Sequence, residues 1–240
     1  MCGRFTLHQN PDALAERFGV QETLFTVSPR YNIAPTQPVA VVTEADGARR
    51  LEGYRWGLIP FWAKNEAIGN KLINARAETL AEKPAFRNAL QRRRCLIPAD
   101  GFYEWKRLDR NRKEPMHIRR SDEDIFAFAG LWEEWRNPEG GAPLRTCTII
   151  TVAPNALLAT IHDRMPAILR PEDEALWLNA AEVDKQAAVA LLRPYPDDVM
   201  EAYAVSRRVN TPTQDDPACI APAPTEASVS PPTEGGPNPA

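Results

Sequence analysis

The second residue of this sequence has the most unusual chemical potential. Cys2 follows Met1 directly, and cysteine is small enough for an initiator Met to be removed ahead of it. Removal leaves an α-amine and a β-thiol on one residue. The amine has an ordinary pKa of ~7.7–8.0, so a useful fraction is neutral and nucleophilic near pH 7. Such an amine forms a Schiff base with an aldehyde, as a reactive lysine does. The neighbouring thiol can then add to the imine and close a thiazolidine ring, which neither group gives alone. Cysteine at this position is, taken by itself, more often incidental. A Cys-Gly start is also found in glutamine-dependent amidotransferases, where the thiol is the nucleophile. Their downstream Arg, Asn-Gly and Asp motifs have no convincing counterpart here.

Further candidates lie along the chain. Glu104 sits between Tyr103 and Trp105; a carboxyl near apolar rings can act as an acid, and it also fits the wet face of a strand. His162 is one of three histidines, able to shuttle protons at neutral pH or to serve as an ordinary hydrogen-bonded side chain. Asn74 fits either a polar grip on a ligand or the cap of the segment after it. His8 and His117 are expected to be structural. The four cysteines are scattered without a Cys-x-x-Cys pair, so a zinc site of the usual kind is not expected. Cys95, Cys147 and Cys219 read as inert buried or tail thiols. No metal or cofactor is called for.

The elements that must position these groups are marked by turn and cap residues. Asn10-Pro11 opens a helix that Gly19 closes. Pro38–Glu44 and Arg49–Trp56 flank Asp46-Gly47, a hairpin signal. A short helix is expected over 84–92. Strands follow at Cys95–Ile97, Gly101–Arg107, Pro115–Arg119, Ile125–Trp132 and Leu144–Val152. Pro171 starts a helix with acidic residues in its first turn, which suits the helix dipole. Val183–Leu192 reads as helix and Val199–Val205 as strand. Hairpins in series with helices near the ends predict an α+β domain on a mostly antiparallel sheet or open barrel.

Composition sets the outer limits. The chain has 240 residues, 43% of them hydrophobic and 25% charged, enough for a sizeable core and ordinary for a globular protein. No window approaches the ~18 apolar residues of a membrane helix, so a cytoplasmic location is expected, with no membrane partner. Charge is uneven: residues 85–120 carry 11 basic and 4 acidic side chains, while the whole chain has a net charge of −3. That basic middle fits a polyanion site or a solvated face. The domain is expected to end near residue 222, with a disordered Pro-rich tail over 223–240.

Six motifs occur in order: Met1-Cys2-Gly3-Arg4-Phe5, Tyr31-Asn32-Ile33-Ala34-Pro35, Trp56-Gly57-Leu58-Ile59-Pro60, Asn74-Ala75-Arg76-Ala77-Glu78-Thr79, Arg94-Cys95-Leu96-Ile97-Pro98-Ala99-Asp100-Gly101-Phe102-Tyr103-Glu104-Trp105 and Ile161-His162-Asp163-Arg164-Met165-Pro166. Over about residues 1–222 the sequence closely resembles the SRAP (SOS-response-associated peptidase) family of abasic-site processing proteins. The resemblance implies a single α+β domain around a distorted, mostly antiparallel barrel. It implies covalent capture of abasic sites in single-stranded DNA by the N-terminal cysteine, autoproteolytic loss of Met1 and lyase-type behaviour. Cys2, Asn74, Glu104 and His162 match the family's catalytic positions. Arg4, Arg76 and Arg164 match phosphate contacts, where bidentate bonding favours arginine; for Arg76 an ion pair with nearby Glu78 is the structural alternative. Pro35 and Trp62 match apolar surfaces against the bases beside the lesion, and Thr151 matches a backbone contact. Trp56 is expected in the core. Phe61 beside Trp62 departs from some relatives. The expected partner is single-stranded DNA bearing abasic sites, met by a monomer that joins the nucleoid on DNA damage. A glutamine amidohydrolase and a non-covalent single-strand binder remain the alternatives.

Overall fold

A computed structural model describes residues 2–224, and its elements begin and end where the turn chemistry demands. Strand β1 (Phe5–Leu7) leads into helix α1 (Pro11–Phe18). The Asn10 side chain accepts from the Asp12 amide, Pro11 fills the first turn, and Gly19 ends the helix at φ 58°. That left-handed conformation costs glycine little. After the short strands β2 (Glu22–Thr23) and β3 (Arg30–Ile33) come β4 (Pro38–Ala45) and β5 (Ala48–Trp56). They turn on Asp46 and Gly47, at φ 54° and 75°, as a primed two-residue turn requires. Strand β6 (Asn74–Arg76) interrupts a long connection. Helix α2 (Arg87–Arg92) is shorter than the expected 84–92, because no side chain caps it and Phe86 just before it is non-helical at φ −122°.

The chain continues through β7 (Arg94–Ala99), β8 (Gly101–Arg107), β9 (Lys113–Arg120), β10 (Phe126–Trp135) and β11 (Leu144–Val152). It closes with α3 (Ala156–Ala159), β12 (Met165–Pro166), β13 (Ile168–Leu169), α4 (Pro171–Leu178), α5 (Lys185–Ala190) and β14 (Met200–Ala204). Strands β11, β10, β7, β4 and β5 form a ring of neighbours. The ring is closed by a parallel pairing of β5 with β11, Arg55 opposite Thr146 and Trp56 opposite Cys147. The other contacts in the ring are antiparallel. The result is a closed five-stranded barrel in a mixed α/β domain, mostly antiparallel as the sequence implies.

A second sheet, in the order β14-β9-β8-β1-β3, is antiparallel throughout. Alternation along β8 gives it two faces. Phe102 joins Phe5 on the inner face, where Phe5 meets Trp56 at 5.2 Å and Phe128 at 5.7 Å between ring centroids. Trp56 is fully buried, as expected, and burying each such ring contributes about 1.5–3 kcal/mol. Tyr103 faces the other way, into a small cluster with Val205 and Val209. The segment after β14 covers that outer face and stays tied to the domain through the Val205–Pro222 bridge and a 2.8 Å bond from the Ala223 amide to Ala204 O. The expected Pro-rich tail lies outside the described residues from 225 onward. Among the described residues no helix is long and apolar enough to cross a membrane.

Candidate active site

Strand pairing brings the N-terminus to Glu104. Phe5 lies opposite Phe102 and Thr6 opposite Gly101 in the β1–β8 ladder, and the Tyr103 amide continues it to Arg4 O at 3.0 Å. One step further along, the Cys2–Gly3 backbone passes Glu104. This close approach of strands depends on Gly101. A Cβ there would meet His117 Nε2 at 2.3 Å and Thr6 Oγ1 at 2.9 Å.

Cys2 is fully buried, and Glu104 is 2% exposed. Burial pushes the Cys2 thiol above its ordinary range, and the negative charge of Glu104 pushes it the same way. The thiol is therefore held protonated, and it makes a long contact to Arg4 O at 3.7 Å. Asn74 arrives on β6, which runs parallel to β11 with Asn74 opposite Ile149. Its Nδ2 donates to Cys2 O at 2.7 Å. Its Oδ1 is buried without a hydrogen-bond donor among the described residues.

His162 follows α3, whose cap is Asn155 accepting from the Leu158 amide. The His162 amide in turn donates to Leu158 O at 2.8 Å. Its Nε2 lies 4.0 Å from Glu104 Oε2. On the other side of the ring, Nδ1 accepts from the Arg164 amide at 3.1 Å and lies 2.8 Å from Asp163 Oδ1. A lone pair on Nδ1 suits the first contact and a proton suits the second. Cys2, Asn74, Glu104 and His162, taken from four separate parts of the sequence, meet at one place.

The expected DNA contacts are arranged differently from one another. Arg76 is exposed, with no hydrogen bond or ion pair from its guanidinium among the described residues. Glu78, the partner considered for it, instead binds Arg164 bidentately at 2.6 and 3.0 Å. That pairing holds the Glu78 carboxyl below the usual range. Arg164 also donates to Thr151 O at 2.6 Å. Thr151 itself is fully buried, its hydroxyl turned to Ala75 O at 3.4 Å. The threonine backs Arg164 from inside, because the β11 position faces the core. Arg4 is also turned inward, donating to Asn32 Oδ1 at 2.8 Å and to Val209 O at 2.7 Å. Trp62 is 48% exposed and Phe61 52%, an aromatic pair left facing solvent. Pro35 is half-buried. The role of Glu78 was hidden because its partner is 86 residues away in sequence.

A barrel-centred α+β domain that gathers a buried N-terminal cysteine, an asparagine, a glutamate and a histidine defines a narrow class. The model of the SOS response associated peptidase (SRAP) family matches residues 1–212, and the chain belongs to that family. It is 52% identical to the abasic site processing protein YoqW of Bacillus subtilis, over 92% of this chain and 99% of that one. It is 36% identical to the abasic site processing protein HMCES of Gallus gallus, over 81% of this chain and 66% of that one. A solved structure from Bacteroides thetaiotaomicron is similar at 30% identity with a TM-score of 0.84, covering 92% of this chain and 100% of that one.

Proposed function

We propose that this chain captures abasic sites in single-stranded DNA as a covalent adduct of Cys2. The observation that carries this is the Asn74 grip on the Cys2 carbonyl, beside the buried Glu104 carboxylate and His162. Loss of Met1, by the chain's own action on that peptide bond, frees the Cys2 amine. An abasic deoxyribose is mostly a closed hemiacetal, and ring opening exposes its aldehyde. Glu104 and His162 exchange protons with the sugar oxygens during that opening. The amine adds to the aldehyde carbon, and the carbinolamine loses water to give an imine. The thiol sulfur then bonds to the same carbon while a proton passes to nitrogen, closing the thiazolidine. Net, amine, thiol and aldehyde give the ring and one water. Asn74 holds the Cys2 backbone so that the amine has one direction of attack.

The same Schiff base also opens a route to β-elimination, the lyase-type activity. The chain acts as a monomer in the cytoplasm, moving to the nucleoid when DNA is damaged. Arg76 supplies an open phosphate contact, and Trp62 with Pro35 supplies apolar surface for the bases beside the lesion. A glutamine amidohydrolase is less well supported, because such chemistry starts from a thiolate and the Cys2 thiol is pushed the other way.

The test is a denaturing gel after mixing the protein, with its free Cys2 terminus confirmed by mass, with abasic single-stranded DNA. A band of combined mass that survives denaturation is the expected result. No such band, together with ammonia release from glutamine, overturns the proposal in favour of the amidohydrolase.

A further inference from the structure

The basic stretch 85–120 is not accounted for by the site around Cys2. Much of it lies on the β8–β9 hairpin, at the far side of the second sheet. Glu104 and Trp105 are neighbours on β8 and so point to opposite faces. Trp105 belongs with Tyr103, Val205 and Val209 on the outer face. There a pocket of about 410 Å³ is lined by Trp105, Arg110, Arg112, Lys113, Arg207 and Asn210, among others. This lies within the ~300–1,000 Å³ typical of small-ligand sites.

The wall is built rather than accidental. Trp105 Nε1 donates to Asn210 Oδ1 at 2.8 Å, which fixes the half-buried indole and leaves the Asn210 amide nitrogen as donor. Arg4 reaches the Asn210 carbonyl at 3.4 Å, anchoring the same turn from beneath. Asp109 neutralises Arg112 through a 2.6 Å contact. Arg110, Lys113 and Arg207 are exposed and make no salt bridge among the described residues. Three cations left without counter-charge around one flat aromatic face repel each other, so an anionic occupant relieves them.

We infer that this pocket is a second contact for a single nucleic-acid strand, separate from the site around Cys2. A strand offers phosphates for Arg110, Lys113 and Arg207 and a base face for Trp105, in the alternation these side chains present. An acidic peptide would satisfy the cations and leave the indole without a flat partner. The inference rests on the DNA reading above and extends it: the protein holds a stretch of strand longer than the lesion and its immediate neighbours.

The test combines Arg110→Gln, Lys113→Gln and Arg207→Gln in one chain, with unchanged thermal unfolding as the check on folding. Binding to a long undamaged single strand is followed against salt concentration, and adduct formation is followed on an abasic oligonucleotide too short to reach beyond the site around Cys2. The log–log salt slope should fall by about 2, at ~0.7 per lost phosphate contact. The rate on the short oligonucleotide should stay at the wild-type value. A wild-type slope in the triple variant, with adducts still forming, overturns the second contact alone. Equal affinity for polyglutamate, lost in the same variant, overturns it in favour of an acidic protein partner. Wild-type protein that neither forms adducts nor binds strands overturns the DNA reading and the pocket with it.

Discussion

Two buried carboxylates stand at either end of one short run, and each has a histidine beside it. Asp100 is 3% exposed and Glu104 is 2% exposed. Asp100 accepts from Thr6 Oγ1 at 2.6 Å, from the His8 amide at 2.5 Å and from the Gln9 amide at 3.1 Å, and His8 Nδ1 lies 3.0 Å away. Burial works against its charge, but the bonds from His8 and Thr6 outweigh burial and hold its carboxyl below the usual range. Its partners are two backbone amides, the Thr6 hydroxyl and the His8 ring, so it ties β1 and the residues after it to the start of β8. Glu104 instead lies beside the Cys2 thiol and, at 4.0 Å, the His162 ring. The same side-chain chemistry serves as an anchor at Asp100, where several donors converge on it, and under the function proposed above as a proton-exchanging group at Glu104.

The sharpest way to break this contrast is to remove what Glu104 is proposed to serve. Blocking the Cys2 amine with a verified N-terminal extension should abolish both the stable adduct and any adduct trappable by borohydride, since an amide nitrogen cannot attack an aldehyde and a thiol alone gives a reversible hemithioacetal. Cys2→Ser, with its amine free, should keep the trappable Schiff base while losing the stable ring. A stable adduct from the blocked chain would transfer the chemistry to a lysine such as Lys64 or Lys71.

Next in size is Glu104→Gln. The amide keeps the shape but cannot exchange a proton, so adduct formation should slow by ~10²–10⁴-fold, with DNA binding little changed. Stopped-time gels and equilibrium binding on the same preparation separate the two. Wild-type rates in the variant would leave His162 as the acid.

Much of this arrangement is legible in the residues. Asn10, Gly19, Asp46 and Gly47 announce α1 and the β4–β5 hairpin, because caps and primed turns need those residue types locally. The strands β8 and β11 fall where expected. Strands β1 and β3 are not visible as such: Phe5-Thr6-Leu7 alternates apolar and polar over only three residues, too short a run to mark a strand. The parallel closure of β5 on β11 depends on tertiary contact between distant segments, and local patterns carry no trace of it. Cys2, Asn74, Glu104 and His162 could be named from ordered motifs. Their meeting follows from the register of β1 on β8 and of β6 on β11. The Arg164–Glu78 pair and the inward Thr151 could not be named, since short-range spacing points Glu78 at Arg76.

Asp100→Asn tests the anchor half of the comparison. One buried acceptor becomes a donor among donors, so stability should fall by about 1–3 kcal/mol. The adduct rate, measured well below the melting temperature, should not change. The pH dependence has a definite sign. A carboxyl whose folded pKa is lowered contributes its full stability above its unfolded value of ~3.9, and loses it as pH falls through the folded value. The gap between wild type and variant should therefore be constant above about pH 5 and narrow below it. A constant gap down to strongly acidic pH would mean that Asp100 is not held charged.

The smallest effect belongs to the histidine beside the anchor. The His8 side chain keeps 27% of its exposure and stacks on Tyr31 at 5.0 Å between ring centroids. Ion pairs at partly exposed positions contribute about 0–1 kcal/mol. His8→Gln should lower Tm by no more than about 2–4 °C in a domain of this size, because the backbone donors to Asp100 remain. It should leave the adduct rate untouched. His162→Gln is the matched partner: it removes the exchangeable ring next to Glu104 and should slow the adduct while shifting Tm as little as His8→Gln does. Scanning calorimetry and adduct rates on the two variants give a two-by-two comparison. If His8→Gln slows the adduct as much as His162→Gln, the two carboxylate–histidine pairs are coupled across β8, and the division into anchor and reactive group fails.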